Sequence, residues 1–206
     1  MTSDLLAAKA DLFDRWAPNY DCLLTTVFYQ ALHQRLLDYV QLPRDFPTSV
    51  LDIGCGTGKL LNRLADHFPQ LQGTGLDLAQ QMLYQARQAN RHHPRLIFIQ
   101  GRSDALPFAQ QQFEAAFSTI SFLHYPEPEC VLQEICRILK PGGQFYWVDY
   151  IPLLSCNSPQ TWGIGRGKIH FYSQQRRARL ATDARLSCLS HQVLLGPIML
   201  TILAKP

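Results

Sequence analysis

Residues 50–60 read VLDIGCGTGKL. An apolar, β-branched run ends in Gly54, Gly56 and Gly58, and an apolar helical period starts at once with Leu60, Leu61, Leu64, Ala65 and Phe68. Strand, glycine turn and helix in direct succession place bare main chain and the positive end of a helix at the carboxyl edge of a sheet, where a ligand can approach the backbone closely. The same alternation repeats on the carboxyl side. SVLDIG (49–54) reads as a strand and GKLLNRLADHF (58–68) as a helix; LQGTGLDL (71–78) is a second strand, and AQQMLYQARQAN (79–90) a helix with Met82, Leu83 and Ala86 inward. RLIFIQ (95–100) and FEAAFSTI (113–120) are the third and fourth strands. A helix from Pro128 carries Val131, Leu132, Ile135, Ile138 and Leu139 inward and is expected to stop at Pro141-Gly142-Gly143, ahead of a fifth strand, QFYWVDYI (144–151).

This β-α-β alternation predicts a doubly wound α/β fold: a mostly parallel sheet, helices on both faces, right-handed crossovers. Outside it, residues up to Val40 read as helical, chiefly TTVFYQALHQRLLDYV, and 152–172 has the Pro and Gly content of a loop. A helix over about 173–184 and two apolar strands, SCLSHQVLL and IMLTILA, close the chain. The expected organisation is one domain over 1–206: a helical lid (1–45), a core (46–151), and a closing loop, helix and hairpin (152–206).

Composition bounds the function. With 206 residues and 47% hydrophobic content the chain can bury a core, and no run approaches the ~18 apolar residues of a membrane span. The opening MTSDLLAAKADLFDRW mixes charges of both signs and is read as neither signal peptide nor anchor. Cys22, Cys55, Cys130, Cys136, Cys156 and Cys188 show no CxxC pair or regular spacing, which argues against a disulfide framework and a zinc site and predicts a cytoplasmic protein with mostly buried thiols. The net charge of +3 is uneven: residues 1–159 hold 12 basic and 15 acidic side chains, residues 160–206 hold 7 and 1. That basic end reads as a solvated helix face or, alternatively, as a surface for an anionic substrate, membrane or nucleic acid.

Two ligands compete for the glycine turn. A dinucleotide fingerprint needs glycine at its first, third and sixth positions, and the sixth position from Gly54 is Lys59. The observed pattern, Asp52 followed by Gly54, Gly56 and Gly58, resembles instead the first motif of class I S-adenosylmethionine-dependent methyltransferases. Asp77 stands 19 residues beyond Gly58 at the end of the second strand, where a carboxylate suits a ribose diol; capping the following helix is the other role open to it. GRSDALPF (101–108), FEAAFSTISFLH (113–124) and RILKPGGQF (137–145) resemble later motifs of the family, and FDRWAPNYD (13–21) resembles the N-terminal segment of its ubiquinone- and menaquinone-biosynthesis group.

The resemblance covers residues 13–150 and implies a seven-stranded sheet whose last strand is antiparallel to the others. It implies S-adenosylmethionine as cofactor, S-adenosylhomocysteine as product, and cofactor contacts from Tyr20, Asp52, Gly54, Gly56, Thr57, Gly58, Asp77, Leu78, Met82, Ser103, Asp104 and Thr119. Asp52 and the turn would face the methionine end, Asp77 the ribose, and Ser103 and Asp104 the adenine. Arg102 departs from the pattern, which has an acidic or small residue there, and its guanidinium is expected to point to solvent. The implied activity is direct in-line transfer of a methyl group to a small, partly apolar acceptor, anionic or quinone-like, in a cleft closed by FDRWAPNYD and by Trp162 to Tyr172 with Arg166 and Lys168.

Methyl transfer from a sulfonium requires positioning and exclusion of water rather than a metal or a covalent nucleophile. Candidates for a general base near the strand ends are His124, Tyr125, Asp149 and Tyr20; His92 and His93 read as loop surface. Two other function classes stay open: a protein that binds S-adenosylmethionine without turnover, and a nucleic-acid or protein methyltransferase using the basic end. Neither an aromatic and basic reading platform nor room for a recognition domain supports the last.

Overall fold

The computed structural model describes residues 7, 10, 11, 13, 14, 23–151, 160–164 and 167–206. Its chain divides into two units, Met1–Gln100 and Gly101–Pro206. The first holds α1 (Leu23–Leu37), β1 (Thr48–Ile53), α2 (Lys59–His67), β2 (Leu71–Asp77), α3 (Gln80–Gln88) and β3 (Leu96–Gln100). The second holds β4 (Phe113–Thr119), a 3-10 turn (Phe122–His124), α4 (Pro128–Ile138), β5 (Leu139–Tyr150), β6 (Gln160–Ile164), β7 (Gly167–Phe171), α5 (Gln174–Asp183), β8 (Ser187–Leu195) and β9 (Ile198–Ala204). The main sheet has seven strands in the order β3-β2-β1-β4-β5-β9-β8, and β6 and β7 make a separate two-stranded sheet. The expected α/β class, strand number and strand sense are those found.

Within the first unit β1 is parallel to β2 and β2 to β3, with Asp52 opposite Gly75 and Asp77 opposite Gln100. The helical period after the glycine turn buries Leu60, Leu61, Leu64 and Ala65, and α3 buries Met82, Leu83 and Ala86. Close packing explains the glycines of β2. A Cβ on Gly75 would lie 2.6 Å from Phe98 Cδ1 and 2.8 Å from Cys55 Sγ.

In the second unit β4 is parallel to β5, while β9 runs antiparallel to both of its neighbours, β5 and β8. Helix α4 starts on Pro128, which suits a first turn that needs no N–H, and buries Val131, Leu132, Ile135 and Ile138. It ends at Ile138, ahead of the expected stop, because the residue before Pro141 is steered out of the helical region. Leu139 is already paired with Phe113. Gly142, at φ 77, then donates its N–H to Lys205 O at 2.9 Å.

Two expectations need correction. The stretch 152–172 is not all loop: Gln160 pairs with Phe171 and Ile164 with Gly167 in the β6–β7 hairpin. Gly163, Gly165 and Gly167 punctuate the sequence, but Ile164, Ile169 and Phe171 are strand formers and a short connection suffices to pair them. The thiols are not mostly buried either. Cys55 is buried, Cys136 and Cys188 are half-buried and Cys130 is exposed; all four are free thiols, and Cys22 and Cys156 lie outside the described residues.

The contact at Gly75 makes a test. Gly75→Ala should lower stability by about 1–3 kcal/mol through overpacking, and adding Phe98→Leu should recover part of it. Urea titrations of both variants decide this; an unchanged midpoint in Gly75→Ala would show that the Phe98 ring moves aside freely.

Candidate active site

At the end of β1 three glycines turn the chain by left-handed steps, with φ of 73 at Gly54, 52 at Gly56 and 74 at Gly58. Residues with a Cβ rarely adopt these angles. Their surroundings differ. A Cβ on Gly58 would lie 2.7 Å from the Phe98 ring, whereas one on Gly56 would meet nothing within 4 Å, so Gly56 presents bare backbone to open space. The turn is tied down by main-chain bonds from Gly54 N and Cys55 N to Leu76 O, at 2.8 and 3.1 Å.

Asp77 completes the brace. Its Oδ2 accepts the Gly56 N–H at 2.8 Å and its Oδ1 accepts the Ala79 N–H at 2.9 Å, so one carboxylate fixes both the glycine turn and the entry to α3. Asp77 is not the cap of that helix, however: the N-cap is Ala79, which has no side-chain cap bond, and Asp77 reaches only the Ala79 N–H. Each oxygen keeps a further lone pair, which leaves capacity for a ribose diol. Burial raises the Asp77 pKa against the opposing pull of its N–H donors. Asp52, 2% exposed on β1, is pushed up to about 8 by burial and, second, by the charge of Asp77. A buried Asp52 and a half-buried Asp77 beside a backbone cradle open at Gly56 fit a ligand that brings an ammonium group and hydroxyls, as S-adenosylmethionine does.

The other first-unit candidates are supporting parts. Thr57 is buried, Leu78 is half-buried, and Met82 is buried with Ala79 against Phe13. Asp14 Oδ1 accepts the Gln81 N–H at 2.8 Å, so the described part of FDRWAPNYD packs on the start of α3. Tyr20 lies outside the described residues. Asn62 was not legible as a functional residue: buried, it donates to Gly58 O at 3.0 Å and accepts from Arg91 N at 3.1 Å, locking the helix entry. His92 is more than loop surface, since its Nε2 lies 2.8 Å from Asp66 Oδ1.

In the second unit the segment after β3 departs from expectation at Arg102. Its guanidinium is exposed but engaged, holding Asp104 through Nε to Oδ1 at 3.0 Å and Nη2 to Oδ2 at 2.8 Å. Geometry favours this fork, because an Arg two residues before an Asp across the Arg102–Ala105 bridge can reach both oxygens. The pairing lowers the Asp104 pKa and occupies the carboxylate expected at the adenine. Ser103 stays half-buried between them. The rest of the segment is held from α4: Glu134 Oε2 accepts the Leu106 N–H at 2.7 Å, and Arg137 donates to Leu106 O and Phe108 O at 2.9 and 2.7 Å. The Glu134 and Arg137 spacing is visible in the sequence; their target is not.

The end of β4 carries the remaining candidates. Thr119 is half-buried with an Oγ1 that has no hydrogen-bond partner, and Ile120, a β-branched residue, sits at φ 51, a conformation that costs energy. Ser118 Oγ, Ser121 Oγ and Tyr125 OH form a chain with steps of 2.7 and 3.1 Å. His124 is half-buried at the end of the 3-10 turn. Asp149, 1% exposed, accepts the Leu123 N–H of that turn at 2.9 Å and the Trp147 Nε1–H at 3.2 Å, both on Oδ2, while Oδ1 has no partner. Burial pushes Asp149 up to about 7, with Arg177 the strongest counterweight.

Residues 50–143 match the family model described as a methyltransferase domain. The chain is 35% identical over 169 residues to a 2-phytyl-1,4-naphtoquinone methyltransferase of Thermosynechococcus vestitus, covering 80% of this chain and 71% of that protein. It is 27% identical to a demethylmenaquinone methyltransferase of Bacillus licheniformis, over 74% of this chain and 64% of the relative. Among solved structures, a Burkholderia thailandensis 1,6-didemethyltoxoflavin-N1-methyltransferase with S-adenosylhomocysteine bound has the same fold, with a TM-score of 0.78 at 17% identity over 100% of this chain and 90% of the other. With the glycine turn, its two carboxylates and these likenesses together, the chain belongs to the class I S-adenosylmethionine-dependent methyltransferases.

Proposed function

We propose that this S-adenosylmethionine-dependent small-molecule methyltransferase acts on a reduced quinone ring bearing an apolar tail, as one cytoplasmic methyltransferase domain. The observation that carries the reading is the 35% identity with the naphthoquinone-modifying relative; in the second unit Phe122, Trp147 and Tyr172, with ring centroids 4.1 to 5.9 Å apart, form a buried cluster that supports the turn carrying His124. The two quinone-modifying relatives support the same class. A cytoplasmic place agrees with the free thiols and with the lack, among the described residues, of a helix long and apolar enough to cross a membrane.

Bound S-adenosylmethionine supplies the methyl group on a sulfonium that needs no further activation. Asp52 faces the ammonium end and Asp77 the ribose, with the main chain at Gly56 between them. Thr57, Gly54, Gly58, Leu78 and Met82 keep that cradle in shape, and Ser103 presents its backbone to the adenine while Asp104 stays with Arg102. The N-terminal segment with Tyr20 covers the cofactor, in line with Phe13 packed on Met82. On the acceptor side His124 takes the proton of a ring hydroxyl, which raises electron density on the adjacent ring carbon. Asp149 shapes the turn beneath His124 through its bond to Leu123 N.

Asp52 gives the first test. Its folded pKa of about 8 lies above the usual carboxylate value, so its stabilising contribution is complete at low pH and lost as pH rises towards 8. The unliganded protein should melt at lower temperature at pH 8 than at pH 5, and Asp52→Asn should flatten that slope. At pH 7 the Asp52 carboxyl holds a proton, which the ammonium of S-adenosylhomocysteine should displace. Calorimetry in buffers of different ionisation enthalpy should detect this release in the parent and not in Asp52→Asn. Buffer-independent heats in the parent would remove Asp52 from the ammonium site.

The acceptor is tested by labelled methyl transfer to dithionite-reduced 2-phytyl-1,4-naphthoquinone, with a long-chain fatty acid and bulk RNA alongside. Label should enter the quinol alone, and His124→Ala should lower kcat by about a hundredfold or more, the scale of lost general-base catalysis. Label in the fatty acid or RNA with none in the quinol would overturn the reading.

A further inference from the structure

Arg177 of α5 is fully buried, on a helix whose other buried positions are Leu180 and Ala181. A buried guanidinium has to satisfy five N–H donors, and this one does so almost wholly on main-chain oxygens. Nε donates to Tyr172 O at 3.2 Å; Nη1 donates to Met199 O at 3.1 Å, to Trp147 O at 3.4 Å and to Thr201 Oγ1 at 3.2 Å; Nη2 donates to Asp149 O at 3.1 Å and to Tyr150 O at 3.4 Å. Its Cζ lies 4.6 Å over the Trp147 ring. The acceptors belong to three segments: the end of β5, the first half of β9 and the residue that follows β7.

These are the segments that frame the proposed acceptor side. Trp147 and Asp149 lie on β5, Asp149 holds the turn that carries His124, and Tyr172 both packs in the buried aromatic cluster under that turn and roots the β6–β7 hairpin. No carboxylate is spent on Arg177, although Asp149 is next to it; the cation touches the Asp149 main chain and leaves the side chain to Leu123 and Trp147. An apolar residue would fill a buried site of this kind at lower desolvation cost, which points to a use beyond packing. We propose, building on the acceptor assignment above, that Arg177 is a positioning residue for methyl transfer: its single fork fixes Trp147, Asp149 and Tyr172 relative to one another, and through Asp149 sets the turn that presents His124.

The charged and titratable groups around this fork are Asp149 and Tyr150 on β5, Tyr172 after β7, and Cys188 and His191 on β8, with Glu129 and Arg176 acting on Tyr172 from outside. Two variants separate charge from geometry. Arg177→Met removes both and Arg177→Lys keeps the charge without the fork. The readouts are the Trp147 indole N–H resonance, which reports the bond to Asp149, and the carboxyl-carbon titration of Asp149. S-adenosylhomocysteine affinity serves as control, followed by kcat for the reduced naphthoquinone. In Arg177→Met the indole resonance should move, the Asp149 midpoint should rise, since the cation that lowers it is gone, and kcat should fall by about tenfold or more with S-adenosylhomocysteine affinity changed by less than about threefold. Arg177→Lys should restore the Asp149 midpoint but not the indole resonance and only part of kcat. If Arg177→Met does not fold, Thr201→Val, which takes one acceptor from Nη1 and keeps the cation, should move the indole resonance and lower kcat at smaller amplitude with the Asp149 midpoint of the parent. Variants that lose only thermal stability, with the indole resonance and Asp149 midpoint of the parent, would overturn the proposal. Should the parent fail to methylate the quinol while both spectroscopic changes appear, the acceptor assignment falls and the positioning of Asp149 by Arg177 stands.

Discussion

The Asp77 carboxylate holds the Gly56 N–H on one oxygen and the Ala79 N–H on the other. On this pair of bonds rests the shape of the cofactor-side chain. Three left-handed glycines at alternate positions have no intrinsic preference for one path, and freezing them is entropically costly. A charge-assisted bond from the neighbouring strand selects the path, and the same side chain holds the N–H of the residue before the next helix. The constraint also bears on what stands nearby: Asp52 on the adjacent strand is driven towards its protonated form first by its own burial and second by the charge of Asp77.

The second unit solves a related problem in a different way. Asp149 and Arg177 are both fully buried, yet they do not form a side-chain ion pair. Each meets neutral dipoles instead: the carboxylate takes an amide and an indole N–H on Oδ2 while its Oδ1 has no hydrogen-bond partner, and the guanidinium is surrounded by carbonyls and the face of an indole. Burial lowers the Arg177 pKa to about 10, so the guanidinium stays charged at neutral pH while its neighbour titrates near 7. A carboxyl whose charge is balanced this finely responds to small shifts in its donors. That makes the alignment of Trp147 and Leu123 a matter of function as well as of packing.

How much of this is legible in the residues themselves depends on the range of the interaction. Alternating periods give the strands and helices of 46–151 nearly in place, since Leu60, Leu61 and Leu64 or Val131, Leu132 and Ile135 report a buried face within two turns of helix. GxGxG and the trailing Asp77 report the cofactor turn for the same reason: the contacts are between ends of adjacent strands. Legibility fails where polar side chains act across long separations. Arg137 reaches a loop 29 and 31 residues away, and Arg177 meets most of its carbonyls 22 to 30 residues away; helical period puts Arg177 on the face of Leu180 and Ala181, but nothing local names its partners. Arg102 fails differently. Its partner is two residues away, but the expectation came from the family pattern, which has no arginine there, and so missed the fork to Asp104.

Ile120 shows where the two kinds of information meet. As the eighth letter of FEAAFSTI it completes the alternation of a strand, and a branched side chain belongs there. The structure ends β4 one residue earlier and twists Ile120 to φ 51, although its N–H still reaches Val148 O at 2.8 Å. A glycine or asparagine would adopt that angle with less strain. The strain is held because the residues after it are pinned: Ser121 hydrogen-bonds to Ser118, and Leu123 is held by Asp149. Strain maintained by pinned neighbours identifies the turn after β4 as a position where exact direction matters more than local stability. It lies directly before the only described histidine on that turn, which is why His124, rather than the fully buried Asp149, is assigned the proton.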